Sequence, residues 1–345
     1  MDLLLLIALL FVGFIVAFAI GSNDETMAPA VGARVFSVTT AVLLGAVINV
    51  IGAALLGGGV SEKVGSDLVS GNEMSIAMVF AIMISMAIWL LVASMSKGLP
   101  ISTTQCIVGA VIGVAAVAPF LGEEGWGVAA IDWSVILQIL GGWVVSPIVG
   151  FVISAAIFHV VRKFQARAKG YTDRERQEHV AAYGLALFLV ITALSRGGND
   201  VANAVAPLVA LPDFQVPFYF GPLAIPGVMV PLLIGGIGMG LGLIVVGRKV
   251  IKTLATEVVT LSPTSALSAS ISVALVMFVG TYLGLPLSGT HVLVAALIAV
   301  GWVSRGPIQM KQVKAILISW VITVPISAIF GVIVFVLINP FFPMP

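Results

Sequence analysis

The sequence predicts an all-α, polytopic membrane protein built from two inverted-topology repeats with broken helices. Three observations predict it. Only 9% of the 345 residues are charged while 60% are hydrophobic, against about 25% charged in a soluble domain. The apolar residues fall in runs of roughly 18 or more, the length that crosses a bilayer core. Two motifs also recur in the same order in each half of the chain. GSNDETMAPAVGA (21–33) matches GGNDVANAVAPLVA (197–210), and LPISTTQCIVGAVIGVA (99–115) matches LPLSGTHVLVAALIAVG (285–301).

Five spans are expected in each half. The first half carries 3–33, 38–58, 74–95, 101–118 and 134–161. The second carries 181–209, 222–246, 265–284, 287–303 and 313–337. Leu3 to Ile20 has no polar side chain and is preceded by Asp2 rather than a basic stretch, so it reads as a retained span, not a secretory signal. The hydrophilic segment 162–180 reads as a solvated linker between a first repeat, 1–161, and a second, 181–345. The motif offsets are 176 and 186, which assigns the ten extra residues to the loop around Pro212 to Pro226. Segments 60–73 and 246–259 correspond loosely and read as short gating helices or loops. The glycines of GGIGMGLG (235–242) form no G-x-G-x-x-G and follow no strand, so they read as close helix packing through small residues.

Orientation follows from Lys and Arg, which favour the cytoplasmic side. With the N-terminus outside, fourteen of the sixteen basic residues fall on cytoplasmic segments, Lys63 and Arg196 excepted. Both termini are then extracytoplasmic and the linker cytoplasmic. An odd number of spans per half makes the second repeat antiparallel to the first. Such folds bind substrate where the repeats meet near the midplane.

Two constellations could carry chemistry. The first is Asn23-Asp24 with Asn199-Asp200. Carboxylates inside a span are costly and call for a cation or a hydrogen-bond network. Each pair follows glycine (Gly21; Gly197 and Gly198) and precedes proline (Pro29; Pro207), so both helices are expected to break there. A broken helix with a carboxylate makes a dehydrated cation site; the bland reading is a capped, kinked helix end. The second is Ser102-Thr103-Thr104-Gln105 with Ser288-Gly289-Thr290-His291. Each follows Leu-Pro and opens an apolar run, the pattern of a helix start. Facing helix N-termini could hold a tetrahedral oxyanion through free amides and hydroxyls, whereas plain N-capping is the bland reading. For the two constellations to meet, 74–118 and 265–303 are expected to include re-entrant hairpins. Arg196 either attracts the anion or pairs with an acid, and His291 reads as a polar packing residue.

Other classes find no support. The single Cys106 excludes an intramolecular disulfide and reads as a packing residue. No two histidines share i, i+4 spacing, and neither a Ser-His-Asp set nor a G-x-S-x-G elbow is present, so no enzyme and no cofactor are expected. A net charge of +1 gives no reason to expect nucleic acid.

These motifs resemble those of the inorganic phosphate transporter family, PiT, whose signature is a duplicated G-x-N-D followed by small residues and proline. The P-[IL]-S-x-T segments at 100–104 and 286–290 are also similar to family motifs, and the resemblance covers essentially the whole chain. It implies symport of phosphate with sodium ions or protons through an inverted-repeat fold in the cell membrane, as a homodimer. Phosphate would lie at Ser102, Thr103, Thr104, Ser288, Gly289, Thr290, Asn23 and Asn199. Sodium ions, as co-transported ligands, would lie at Asp24, Asp200, Asn23, Asn199 and Gln105. Hard oxygen donors favour sodium. The other readings are a proton-coupled phosphate or metal-phosphate symporter, a sulfate transporter, and, further off, an ion channel. The first copy departs from the signature at Glu25-Thr26-Met27, where the second has Val201-Ala202-Asn203.

Overall fold

The computed structural model describes residues 3–59, 61, 74–96, 98–168, 170–209, 211–285 and 287–342. It is all-α apart from one small β-hairpin. In chain order the helices are α1 (Leu3–Gly21), α2 (Ala28–Gly32), α3 (Val38–Leu56), α4 (Ile76–Ser96), α5 (Thr103–Val117) and α6 (Trp133–Gln165). They continue with α7 (Tyr171–Val209), α8 (Met229–Gly242), α9 (Arg248–Glu257), α10 (Pro263–Tyr282), α11 (Gly289–Ser304) and α12 (Met310–Ile338). A five-residue π-helical turn, Leu243–Gly247, joins α8 to α9. Among the described residues nine helical stretches are long and apolar enough to cross a membrane, and α11 is a shorter apolar helix. The all-α polytopic class expected from composition is the one found.

The two Asn-Asp copies fold differently. The first breaks its helix as expected: α1 ends at Gly21 and α2 begins at Ala28. Asp24 Oδ1 accepts from the Thr26 amide at 2.9 Å and from its hydroxyl at 2.6 Å, an Asx-type turn that competes with the helical ladder. The second copy does not break. α7 runs unbroken for 39 residues through Asn199, Asp200 and Pro207, which corrects the sequence expectation. Ala202 stands where Thr26 stands in the first copy, so no Asx turn forms. Arg196, four residues before Asp200, takes that carboxylate from within the helix. The glycines there serve packing instead: a Cβ on Gly197 would lie 2.4 Å from Asn49 O on α3.

Two other expectations shift. The span placed at 222–246 starts as a β-hairpin, β1 (Phe218–Phe220) with β2 (Leu223–Ile225), in the register Phe218↔Ile225. Gly221, with φ +59°, supplies the positive φ that a two-residue hairpin turn needs, and the helix begins only at Met229. The linker is also shorter than 162–180, because α6 extends to Gln165 and α7 starts at Tyr171. Gln165 Nε2 and Glu178 meet Thr264 at the start of α10, which ties these helix ends together. Of the loosely matched pair of segments, 246–259 is mainly α9, whereas 60–73, apart from Ser61, lies outside the described residues, as does Pro286.

Packing pairs elements of one half with elements of the other. The principal contacts include α5 with α12, α6 with α11, α1 with α8 and α3 with α7. Glycine lets the last two pairs approach to backbone distance: a Cβ on Gly21 of α1 would lie 1.9 Å from Met239 O of α8, one on Gly242 of α8 1.9 Å from Phe18 O, and one on Gly52 of α3 2.1 Å from Leu194 O of α7. GGIGMGLG is therefore a packing strip, as its composition predicts. Two buried apolar clusters result. One gathers α4 and α5 around Met83, Leu90 and Val111; the other gathers α10 and α11 around Met277, Val292 and Leu297. Helix α7 contributes to both, with Leu185 and Leu189 to the second and Val201 to Leu208 to the first.

Candidate functional site

Two helical hairpins, α4–α5 and α10–α11, meet tip to tip. Ser102 and Ser288 cap α5 and α11, their hydroxyls accepting from the Gln105 and His291 amides at 3.4 Å. Thr104 Oγ1 donates to Leu287 O at 3.2 Å, and Thr290 Oγ1 donates to Ile101 O at 3.4 Å. These two bonds are reciprocal, because Thr104 and Thr290, and Ile101 and Leu287, are equivalent at the offset of 186. All four residues from Ser102 to Gln105 are buried, as are Ser288 to His291. The serine hydroxyls act here as acceptors, so each keeps its O–H to donate to an anion.

The asparagines hold the strands that lead into these tips. Asn23 Nδ2 donates to Leu99 O and to Ser94 Oγ, both at 2.9 Å, and its Oδ1 accepts from the Ile101 amide at 2.8 Å. Asn199 Nδ2 donates to Leu285 O at 3.0 Å, the counterpart of Leu99. Its Oδ1 accepts from Asn203 at 3.3 Å.

The carboxylates have unlike partners. Asp24 Oδ2 accepts from Asn49 Nδ2 at 2.7 Å, so together with Thr26 its hydrogen-bond donors are neutral. Asp200 Oδ1 accepts from Thr103 Oγ1 at 3.2 Å, and its Oδ2 from Arg196 Nε at 2.8 Å. Arg196 Nη1 also donates to Glu25 Oε1 at 2.7 Å. Asp24, Glu25, Asp200 and Arg196 are all buried. Three carboxylates against one guanidinium leave a formal charge of −2 in this group. Charges withdrawn from water stay ionised only when matched, so the arrangement calls for a compensating positive charge. Among the described residues no three His, Cys, Asp or Glu side chains converge as a metal cluster. A cation here would be held by single carboxylates with amide, hydroxyl and carbonyl oxygens.

The structure thus brings Asn23, Asn199, Asp200, Thr103, Thr104 and Thr290 into one hydrogen-bonded assembly around the tips, with Gly289 against Arg196. Gln105 is buried beside it, but its Oε1 has no partner, and among the described residues no hydrogen bond links its side chain to either Asn-Asp pair. His291 packs on Trp320 with ring centroids 3.8 Å apart, and Cys106 is buried, both as packing residues. Sequence reasoning missed Asn49, Ser94 and Asn203, and saw Glu25 only as a departure. Asn49 carried a usable signal: it is the one amide side chain in the apolar α3, and a polar residue inside a span is a functional candidate by default.

Apolar spanning helices arranged around a buried, charged, paired centre define a multi-pass membrane protein with the organisation of a transporter. The chain belongs to the phosphate transporter family, whose model, PHO4, matches residues 20–331. It is similar to a protein of Pyrococcus horikoshii named "Putative phosphate permease", 26% identical over 96% of this chain and 97% of the relative. It is also similar to "Inorganic phosphate transporter 2-1, chloroplastic" of Arabidopsis thaliana, 28% identical over 96% of this chain and 71% of that protein. A solved structure described as "The sodium-dependent phosphate transporter" matches with a TM-score of 0.83 and 27% identity, over 98% of this chain and 100% of its own.

Proposed function

We propose that this protein is a secondary active symporter that moves inorganic phosphate across the cell membrane together with sodium ions. The observation that carries the reading is the tip-to-tip meeting of α5 and α11. Two capped helix N-termini, with Ser102, Thr103, Thr104, Ser288, Gly289 and Thr290, converge beside buried Asp24 and Asp200. Amides and hydroxyls at helix starts bind a tetrahedral anion, and the carboxylates bind the cations that make it tolerable there. Phosphate carries one to two negative charges near neutral pH, by analogy with phosphoesters. Added to a group already at −2, it requires accompanying cations. The donors available to a cation are carboxylate, amide, hydroxyl and carbonyl oxygens, which suit dehydrated sodium. The sodium-dependent phosphate transporter of similar fold supports the same assignment.

The two halves, 1–161 and 181–345, act as inverted repeats. Support comes from the reciprocal bonds of Thr104 and Thr290 and from the equivalent grip of Asn23 on Leu99 and Asn199 on Leu285. The crossed pairings of α5 with α12 and α11 with α6 point the same way. Hairpins α4–α5 and α10–α11 are then re-entrant, and alternating access rocks one set of helices against the other. The distribution of basic residues supports a cytoplasmic linker with both termini outside, and the family resemblance supports a homodimer.

The test is radiolabelled phosphate uptake into proteoliposomes, first under a sodium gradient at constant pH, then under a proton gradient without sodium. Sodium-dependent uptake is expected. Full transport on protons alone would transfer the coupling to protons. Sulfate uptake in preference to phosphate would change the substrate, and uncoupled flux under voltage clamp would make the protein a channel.

A further inference from the structure

The two copies of the Asn-Asp motif differ in charge at two equivalent positions. At the offset of 176, Arg196 stands where the first copy has Ile20, and Glu25 stands where the second has Val201. These two departures meet in space, with Arg196 Nη1 on Glu25 Oε1 at 2.7 Å and Nε on Asp200 Oδ2 at 2.8 Å. A plain ion pair would explain that much. It does not explain the neighbour on the other side. The guanidinium lies against Gly289, the first residue of α11, so closely that a Cβ there would fall 2.4 Å from Arg196 Cδ and 2.6 Å from Nε and Nη1. The same arginine walls a narrow pocket with Thr26, Thr192 and Ser270. The Ser270 hydroxyl, 1% exposed, has no hydrogen-bond partner. The side chain is therefore buried between Glu25 and Asp200 and at the same time packed on the first turn of α11. It reaches the N-terminus of α11, with the unpartnered Ser270 hydroxyl also beside it.

We infer that Arg196 is a direct anion-binding residue of the transport site: a fixed positive charge, aimed by Glu25 and Asp200, that donates to a phosphate oxygen at the N-terminus of α11. The inference rests on the phosphate reading of the hairpin tips and adds to it a residue that amide-and-hydroxyl recognition did not require. The two carboxylates take two of the roughly five N–H donors of a guanidinium, so the fork keeps donors for a ligand. Its planar geometry suits two phosphate oxygens at once, which a lysine ammonium cannot match. Glu25 then has a definite task. Without it, Asp200 alone would hold the side chain through Nε, and Nη1 would be free to turn away from Gly289.

The test compares wild type with E25V/R196I and with R196K. The double variant installs the residues that the other copy carries at these positions. It removes both charges together, so the formal charge of the group is unchanged, while Asp200 loses its guanidinium partner and keeps the Thr103 hydroxyl. Sodium-driven phosphate uptake is measured over a range of phosphate concentrations, with the melting temperature of each purified protein. The double variant is expected to fold with a lowered melting temperature, because Asp200 loses a donor, while its phosphate KM rises about ten- to a hundredfold, the loss of a charged hydrogen bond. R196K is expected to fall between, since the charge remains and the fork is lost. A wild-type KM in the double variant overturns the inference and leaves Arg196 as the counter-ion of Glu25. Should the double variant fail to fold, R196K decides. A raised KM at wild-type melting temperature supports anion binding; an unchanged KM defeats it. Wild-type vesicles that take up no phosphate would instead defeat the transport reading, and this inference would fall with it.

Discussion

Asn23→Ala should destabilise the protein more than it weakens any ligand, and by more than Asn199→Ala. Asn23 is 2% exposed and makes three hydrogen bonds to the α4–α5 hairpin: two from Nδ2, to Ser94 Oγ and Leu99 O at 2.9 Å, and one to Oδ1 from the Ile101 amide at 2.8 Å. Truncation leaves a buried carbonyl and a buried amide without their partner, in a strand that cannot recover them from water. A hydrogen bond between membrane helices averages about 0.6 kcal/mol with a maximum of about 1.7, so three sum to about 2–5 kcal/mol. Asn199 holds its hairpin by one bond, to Leu285 O at 3.0 Å, and the same scale gives about 0.6–1.7 kcal/mol for its loss. The assay is apparent melting temperature in detergent for wild type and both variants, with phosphate affinity measured alongside. The expected order of melting is wild type, then Asn199→Ala, then Asn23→Ala. A wild-type melting temperature for Asn23→Ala, with phosphate affinity lost, would refute the reasoning and return Asn23 to the role of a direct ligand.

Three further predictions follow from the same geometry. Asp24→Asn and Asp200→Asn should each abolish coupled uptake while the protein still folds; sodium-dependent uptake at wild-type rates in either would remove that residue from cation binding. Ser102→Ala and Ser288→Ala should each lose about 1 kcal/mol of stability as N-caps, and in addition about ten- to a hundredfold in phosphate affinity if the O–H donates to the anion; lowered melting with unchanged binding would leave them as caps alone. Gly21→Ala should force α1 away from α8, since its Cβ would fall 1.9 Å from Met239 O, at about 1–3 kcal/mol for overpacking. Gly141→Ala, which meets nothing within 4 Å, is the neutral control, and equal melting of the two would contradict the packing account.

The spans were legible because bilayer crossing needs long apolar runs, and such runs survive any tertiary arrangement. The helix starts at Ser102 and Ser288 were legible because capping is local. What failed depended on partners distant in sequence. Glycine and proline around Asn199 looked like a break, yet whether a helix breaks at an Asn-Asp pair turns on which group donates to the carboxylate. Thr26 donates to it in the first copy by turning the chain, and Arg196 donates to it in the second without doing so. The run PLAI at 222–225 looked like the start of a span because its apolar residues suit strand and helix alike; Gly221 and the prolines Pro222 and Pro226 were the local signs of the hairpin. The Glu25–Arg196 pair spans 171 residues, and no local pattern announces it.

The frame and its charges obey different rules, and the difference bears on mechanism. The frame is reciprocal: Thr104 with Leu287 and Thr290 with Ile101 at the tips, Gly21 against Met239 between α1 and α8, and Gly197 against Asn49 between α7 and α3. Under the proposed alternating access, such a frame can open toward either side at similar cost, because the contacts made on one side match those broken on the other. The charges are not reciprocal. Asp24 is bonded by Thr26 and Asn49, which are neutral, while Asp200 is bonded by a guanidinium. A buried carboxylate with neutral donors only must draw its counter-charge from solution, whereas one paired to a fixed arginine need not. Two cation positions built on these aspartates are therefore unequal from the start. On the proposed symport, the dependence of transport on cation concentration would be set chiefly at Asp24, in the half of the chain where the helix breaks and backbone is freed to complete a coordination shell.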